Sequence, residues 1–300
     1  MTVTVAICTY NRRALLEQCL ASILRHAAGA NEFLVIDDGS TDDTAAYCQE
    51  LQRMHPKLHV VRHAQNQGVS AARNSALAQA QGEVLAFTDD DCVVQSGWLA
   101  ALVASCGDPE VVAAYGSVIY RAPGYRGRFP ERIVQNLGPT WPGAGCIAYR
   151  AAALRAVGGF DSQFGRYHNE DTEIAYRLAR VGRLVPASGA VAIHAESFWT
   201  PATLAAQSRN ASVWPLLAAR YGNEIFTSEF RPPIRWRHVV NAEDYLPLLG
   251  FPFLLPLLIV RYVTHGGRDP VLFFAKWPCY LLRRRWHIWR AAIRHRVWMW

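Results

Sequence analysis

Apolar and polar positions along this chain follow two rhythms, and the switches between them lay out its first half. Val3 to Cys8 is a short apolar run with the length and composition of a buried strand. After the turn Thr9-Tyr10-Asn11-Arg12, the residues Leu15, Leu16, Cys19, Leu20, Ile23 and Leu24 recur at helical spacing and give a helix one apolar face. Phe33 to Ile36 reads as a second strand, and Thr41 as the cap of a helix reaching about Arg53. Leu58 to Arg62 is a third strand and Val69 to Ala80 a helix; Val84 to Phe87 is a fourth strand and Trp98 to Cys106 the helix after it. Strand and helix alternate at βαβ spacing, which predicts an α/β fold with a mostly parallel, Rossmann-like sheet flanked by helices.

The second half is less regular. Val111 to Tyr120 reads as a strand, and residues 121–142, rich in Pro, Gly and Arg, as a long mobile loop of the kind usually tied to function. Gly143 to Arg150, a short helix and the bend Gly158-Gly159-Phe160-Asp161 follow. A helix entered at His168-Asn169-Glu170-Asp171 then carries Ile174, Ala175, Leu178 and Val181, and Val191 to His194 forms a late strand. Leu246 to Val260 runs fifteen residues without a charge and contains three prolines. A straight span needs roughly twenty apolar residues, so a re-entrant or interfacial hairpin with Val271 to Leu282 is expected instead. Arg283 to Arg290 mixes Trp with Arg, as interfacial helices do. A soluble core helix with a basic oligomer contact is the alternative.

Charge sharpens that division. The 300 residues carry a net charge of +7, but the stretch from Arg231 onward holds twelve Lys/Arg against three Asp/Glu, which leaves −2 for the preceding 230. Six of the ten Trp also lie in that stretch, a pairing that favours a membrane interface over nucleic acid. The expected organisation is a catalytic domain over residues 1–230 and a membrane-associating helical region over 231–300. The seven Cys form no C-x-x-C pair and read as buried thiols in a reducing compartment. The chain opens directly on strand-like residues, so no signal peptide is expected, and the catalytic part is placed at the cytoplasmic face of the cell membrane, peripheral or re-entrant.

The densest chemistry is Asp89-Asp90-Asp91, at the carboxyl end of the fourth strand. Adjacent carboxylates repel, and a hard divalent cation that shares their oxygens with a substrate phosphate relieves the repulsion. Ligands of open α/β sheets bind at that edge. A solvated, helix-capping Asp turn is the bland alternative.

Taken in order, Thr9-Tyr10-Asn11-Arg12, Val35-Ile36-Asp37-Asp38-Gly39-Ser40-Thr41-Asp42, Asn66-Gln67-Gly68 with Ala72-Arg73-Asn74, Thr88-Asp89-Asp90-Asp91, Gly158-Gly159-Phe160-Asp161 and Glu170-Asp171 resemble a family 2 glycosyltransferase of the GT-A fold. The resemblance covers about residues 3 to 195. It implies that Asp38, with Asp37 beside it, accepts the uracil N–H, and that Thr9 and Tyr10 flank base and ribose. Arg12 and Gly68 join the same donor-binding set, and Arg73 approaches the nucleotide. Asp89 and Asp91 form the D-x-D pair, Asp91 as the leading metal ligand and Asp89 nearer the ribose. Asp90 leaves the register open. The metal is Mg²⁺ or Mn²⁺, and His194 is a further candidate ligand. Asp171 is the general base of an inverting displacement, with Glu170 beside it toward the acceptor.

Relatives that extrude polymers carry Gln-x-x-Arg-Trp after the base; here Gln207 to Trp214 does not match, so single-sugar transfer is expected. A sugar nucleotidyltransferase would need a Gly-rich loop with Lys and Arg after the first strand, and the chain has only two Lys, Lys57 and Lys276. A membrane-bound subunit that has lost catalysis is the remaining alternative. The partners implied are a nucleotide-sugar donor, UDP by the family's habit, a glycan or lipid-linked acceptor of the cell envelope, and the inner membrane surface, with no nucleic acid.

Overall fold

A computed structural model describes residues 1–120, 136–137, 142–165, 169–197, 199–222, 235–236, 239–240, 245–264 and 269–299. By backbone packing the chain falls into two compact units, one of Met1–Arg121 with Val134–Ala195 and another that includes Glu196–Trp300. The change in charge at Arg231 lies inside the second.

The first unit is built on strands β1 (Val3–Thr9), β2 (Glu32–Asp37), β3 (Leu58–Arg62) and β4 (Val84–Phe87), all parallel, in the order β3-β2-β1-β4. β1 and β2 are buried on both faces, which is why their sequences are continuous apolar runs and not alternating ones. One face is covered by helices α1 (Arg13–His26), α2 (Thr44–Met54) and α4 (Trp98–Ser105), through Leu16, Leu20, Ile23, Leu51, Trp98 and Leu102. The other carries α3 (Val69–Gln79), α5 (Ala151–Ala156) and α7 (Glu170–Leu178), through Ala76, Leu77, Leu154, Ile174 and Leu178. Helix α6 (Ser162–Gly165) is a single turn before α7.

The second half of the sheet is mixed. Strand β7 (Ile147–Arg150) runs antiparallel to β4 and to β6 (Val111–Tyr120), β8 (Arg183–His194) returns parallel to β6, and β5 (Cys92–Val94) closes the edge antiparallel to β8. Strand β5 is too short for periodicity to find, yet its pairing of Cys92 with His194 brings that histidine beside the acids. The expected late strand is only the end of the twelve-residue β8. Two local expectations need correcting. Thr41 is not the cap of α2: the helix starts at Thr44, whose N–H donates to Asp42 Oδ1 at 3.0 Å, while the Thr41 N–H is taken by Asn11 Oδ1 at 2.7 Å. Val181 lies past the end of α7 and is exposed. Most of the expected 121–142 loop, and His168, fall outside the described residues; Asn136 pairs with Val118 as an isolated bridge.

The second unit contains α8 (Pro201–Asn210), started by a reciprocal Thr200/Thr203 capping box, and α9 (Val213–Tyr221), neither foreseen from periodicity. A two-stranded pair, β9 (Arg235–Trp236) and β10 (Val239–Val240), precedes α10 (Tyr245–Thr264). Helix α11 (Pro270–His295) joins into one element the two segments read separately from sequence, with Pro278 inside it, and packs on α8, α9 and α10. Among the described residues no helix is long and apolar enough to cross a membrane.

The bend Gly158-Gly159-Phe160-Asp161 is docked on α3 by one side chain. Asn74 Nδ2 donates to the Phe160 carbonyl at 2.7 Å, and Asn74 Oδ1 accepts the Phe160 N–H at 2.8 Å. Gly159 has φ +68°, and a Cβ there would sit 2.5 Å from Asn74 Oδ1, so the approach needs glycine on both counts. Phe160 then meets Phe87 and Tyr149 edge-on, with ring centroids 6.0 Å apart in each pair. Asn74→Ala strips both Phe160 backbone groups of their partner and should lower the unfolding free energy by about 3 kcal/mol, read as a lower urea midpoint at unchanged slope.

Candidate active site

Strands β1, β2 and β4 end at one edge of the sheet, so the residues after them are neighbours: Thr9 to Arg12, Asp38 to Ser40 and Thr88 to Asp91. Two arginines divide the acid triplet between them. Arg12 Nη1 donates to Asp90 Oδ1 at 2.8 Å and to Asp91 Oδ2 at 3.0 Å, and Thr9 Oγ1 donates to Asp90 Oδ2 at 2.8 Å. Asp89 turns the other way, its Oδ1 accepting from Arg73 Nη2 at 3.1 Å. Burial pushes Asp90 up to about 6, with Arg12 opposing and Asp91 adding to the rise. Asp89 is raised by the same desolvation against the pull of Arg73. Its side chain nonetheless keeps 41% of its surface open, so solvent screens part of this and a ligand can reach it.

Arg73, a candidate for the nucleotide side, is buried and acts as a clamp. Besides Asp89 it donates through Nη1 to Glu170 Oε1, the first residue of α7, and its guanidinium lies 5.7 Å from the Phe160 ring centroid. Burial alone would weaken the cation, but Glu170 and Asp89 outweigh it and hold the guanidinium firmly charged. Glu170 Oε2 is buried without a hydrogen-bond partner among the described residues. Next to it, Asp171 is partly buried, and its Oδ1 accepts the Thr172 N–H at 2.7 Å. Desolvation, then the neighbouring Glu170, push Asp171 up to about 7, with Arg73 opposing. Below, Arg177 forks onto Glu173 at 2.8 and 2.6 Å and donates to the Val157 and Gly159 carbonyls, fixing α7 to the glycine bend.

Asp38 organises the adjoining loop. Its Oδ1 accepts from the Gln67 N–H at 2.9 Å and lies 2.6 Å from His63 Nδ1, and its Oδ2 accepts the Gly68 N–H at 2.8 Å. A carboxylate offers about four lone-pair positions, so roughly one is left for a base N–H. Asp37 is fully buried, accepts the Ser40 N–H at 2.8 Å and faces Arg62 Nε at 3.3 Å. Gly39, at φ +78°, lets that turn pass the next loop, since a Cβ would be 2.6 Å from the Gln65 carbonyl carbon. Tyr10 is exposed at the mouth of this edge. His63 and Glu170's tie to Arg73 were missed as structural anchors. His63 directly follows β3, a position at the ligand edge that could have flagged it.

The donor set suits a hard cation. His194 Nδ1 donates to the Ala195 carbonyl at 2.7 Å, and its Nε2 lies 3.6 Å from Asp91 Oδ1. Ligand atoms of Asp89, Asp91 and Cys92 also lie within 4.8 Å of one another. Burial holds the Cys92 thiol well above its usual range, and a hard cation prefers oxygen, so the carboxylates of Asp89 and Asp91 are the fitting ligands, with His194 beside Asp91.

A model described as "Glycosyl transferase family 2" matches residues 4–158 of the chain. The chain is similar to the GalNAc(5)-diNAcBac-PP-undecaprenol beta-1,3-glucosyltransferase of Campylobacter jejuni, 36% identical over 101 residues, which is 33% of each protein. It is also similar to glycosyltransferase AglE of Haloferax volcanii, 30% identical over 123 residues, 40% of each. The matched stretches thus span well under half of these relatives. Among solved structures it is similar to the mannosyltransferase PcManGT from Pyrobaculum calidifontis in complex with GDP-Man and Mn²⁺, with a TM-score of 0.59 and 23% identity over 98% of this chain and 85% of that one. GalNAc-T7 with UDP, GalNAc and Mn²⁺ gives a TM-score of 0.55 and 17% identity over 85% of this chain and 57% of that one. These likenesses are of fold, and the fold is GT-A.

Asp171 titrates near 7 in the folded chain against 3.8 ordinarily, so the folded state holds the extra proton and its stability falls as pH climbs between those values. Asp171→Asn removes this penalty. The variant should be more stable than the unsubstituted chain at about pH 8 by on the order of 2 kcal/mol, with the gap closing by about pH 4, as measured by urea denaturation at each pH.

Proposed function

Because the chain belongs to glycosyl transferase family 2, we propose that it moves one sugar from a nucleotide-sugar donor to a hydroxyl of a glycan or lipid-linked acceptor, with inversion at the anomeric carbon. The observation that carries this reading is the placement of Asp171 at the start of α7, next to the Glu170 that Arg73 ties to Asp89 at the strand edge, with burial pushing the Asp171 carboxyl up to about 7. A general base works best with a pKa close to the working pH. Asp171 takes the proton of the acceptor hydroxyl as its oxygen bonds to the anomeric carbon; the bond from that carbon to the diphosphate breaks, and the nucleoside diphosphate leaves with the electron pair. No enzyme nucleophile is needed.

On the donor side, Tyr10 and the remaining acceptor position of Asp38 meet the base, and Thr9, Arg12 and Gly68 frame the donor's edge. Asp90, anchored by Thr9 and Arg12, is the rigid member of the triplet. Asp91, Asp89 and His194 are the residues that would hold Mg²⁺ or Mn²⁺, which when bound neutralises charge on the departing diphosphate. Arg73 acts as a positioning residue: it sets Glu170, and with it Asp171, at a fixed distance from the triplet. Glu170 Oε2 is a polar atom available to the acceptor.

The test is a panel of UDP-, GDP- and dTDP-sugars, with and without Mn²⁺, offered to the chain and to two variants. Asp91→Ala should abolish metal-dependent donor binding. Asp171→Asn should keep it while lowering turnover by about a thousandfold. With the unsubstituted chain, kcat/KM should rise with pH and level off above the Asp171 value of about 7. Failure of every nucleotide sugar to bind would overturn the reading in favour of a non-catalytic subunit.

A further inference from the structure

The geometry points to the outer face of α11, with that of α10, as a docking surface for an anionic phospholipid bilayer. On α11 the exposed apolar residues Leu282, Trp286 and Ile293 are four and seven positions apart, the spacing of one helical stripe, and Ile293 is 80% exposed. Arg283, Arg290 and Arg294 are exposed along one edge of that stripe. The opposite face, with Leu281, Ile288, Ala291 and Ala292, is buried within the same unit, so the stripe is not a misplaced core face. Helix α10 adds Phe253, 88% exposed, with Leu257 and Val260 four and three positions on.

Charge decides the occupant. α11 contains five Arg and one Lys and no Asp or Glu. A second copy of the chain would bring the same positive edge and no counter-charge to meet it. Nucleic acid would satisfy the arginines but leave the Leu282–Trp286–Ile293 stripe in water. A bilayer with anionic headgroups satisfies both: the stripe and the Trp ring sit at the acyl boundary while arginine side chains reach outward to the phosphates. No described helix is long and apolar enough to span, so the surface lies on the membrane. This inference stands apart from the catalytic reading.

The full chain is co-sedimented with vesicles of phosphatidylcholine alone and of phosphatidylcholine mixed with phosphatidylglycerol. Pelleting should require the anionic lipid and weaken as salt is added. Arg283→Gln and Arg290→Gln should each lower partitioning about fivefold. Ile293→Ser should lower it too, without altering the salt dependence; circular dichroism checks that each variant folds, and the salt dependence of the unsubstituted chain stands alone if one does not. Absence of pelleting, pelleting equal on both lipids, or pelleting indifferent to all three substitutions would overturn the proposal. So would salt-sensitive retention on DNA without vesicle binding, or a dimer in light scattering that Ile293→Ser dissolves while vesicles stay unbound.

Discussion

One buried guanidinium holds this active edge in shape. Arg73 rises from the middle of α3 and is shared by Asp89, after β4, and Glu170, at the start of α7. Those carboxylates come from segments far apart in sequence, and without a cation between them they would repel and be desolvated together. A buried pair of this kind is seldom a large net source of stability, because desolvation consumes most of the Coulomb gain. Its value here is positional: it ties Asp89 of the acid triplet to Glu170, the neighbour of Asp171, through a planar group whose two terminal nitrogens reach different carboxylates, a geometry that a lysine could not imitate. The glycine bend, the Asn74 amide and the Arg177–Glu173 fork then brace the elements that carry the clamp.

The parallel half of the fold was legible because β1, β2 and β4 are buried on both faces, with β3 a half-covered edge, and each helix on one, so strands read as apolar blocks and helices as stripes. The mixed half was less so. β5 has three residues, and β8 alternates irregularly past a register shift opposite β6, so their pairing is set by contacts that no local pattern records. Helices α8 and α9 begin with a Thr cap pair and a Pro-bearing turn, signals that composition-level reading passed over.

The site shows the same split. Motifs at strand ends put Thr9, Asp38 and Asp89–Asp91 along one edge, and the first turn of α7 adds Asp171 beside Glu170. Which carboxylate faces which cation was not readable. Asp90 takes Arg12 and Thr9, Asp89 takes Arg73, and Asp38 spends most of its acceptors on the backbone of Gln67 and Gly68. Such choices depend on angstrom-scale distances between segments, and an arginine in a helix pattern gives no sign of whether it faces solvent or two acids.

The thiols around the acids have a chemical consequence. Cys8, Cys19, Cys92 and Cys146 lie at or near the ligand edge, and burial keeps all four protonated at neutral pH, Cys8 and Cys146 at about 12. A thiol that does not ionise neither captures soft metals nor reacts quickly with oxidants and alkylating reagents. The edge is therefore chemically quiet, while Cys279 on α11 is the exposed cysteine of the seven. A maleimide dye would consequently mark the helical tail and leave the acids untouched, which gives the chain a built-in single-site handle.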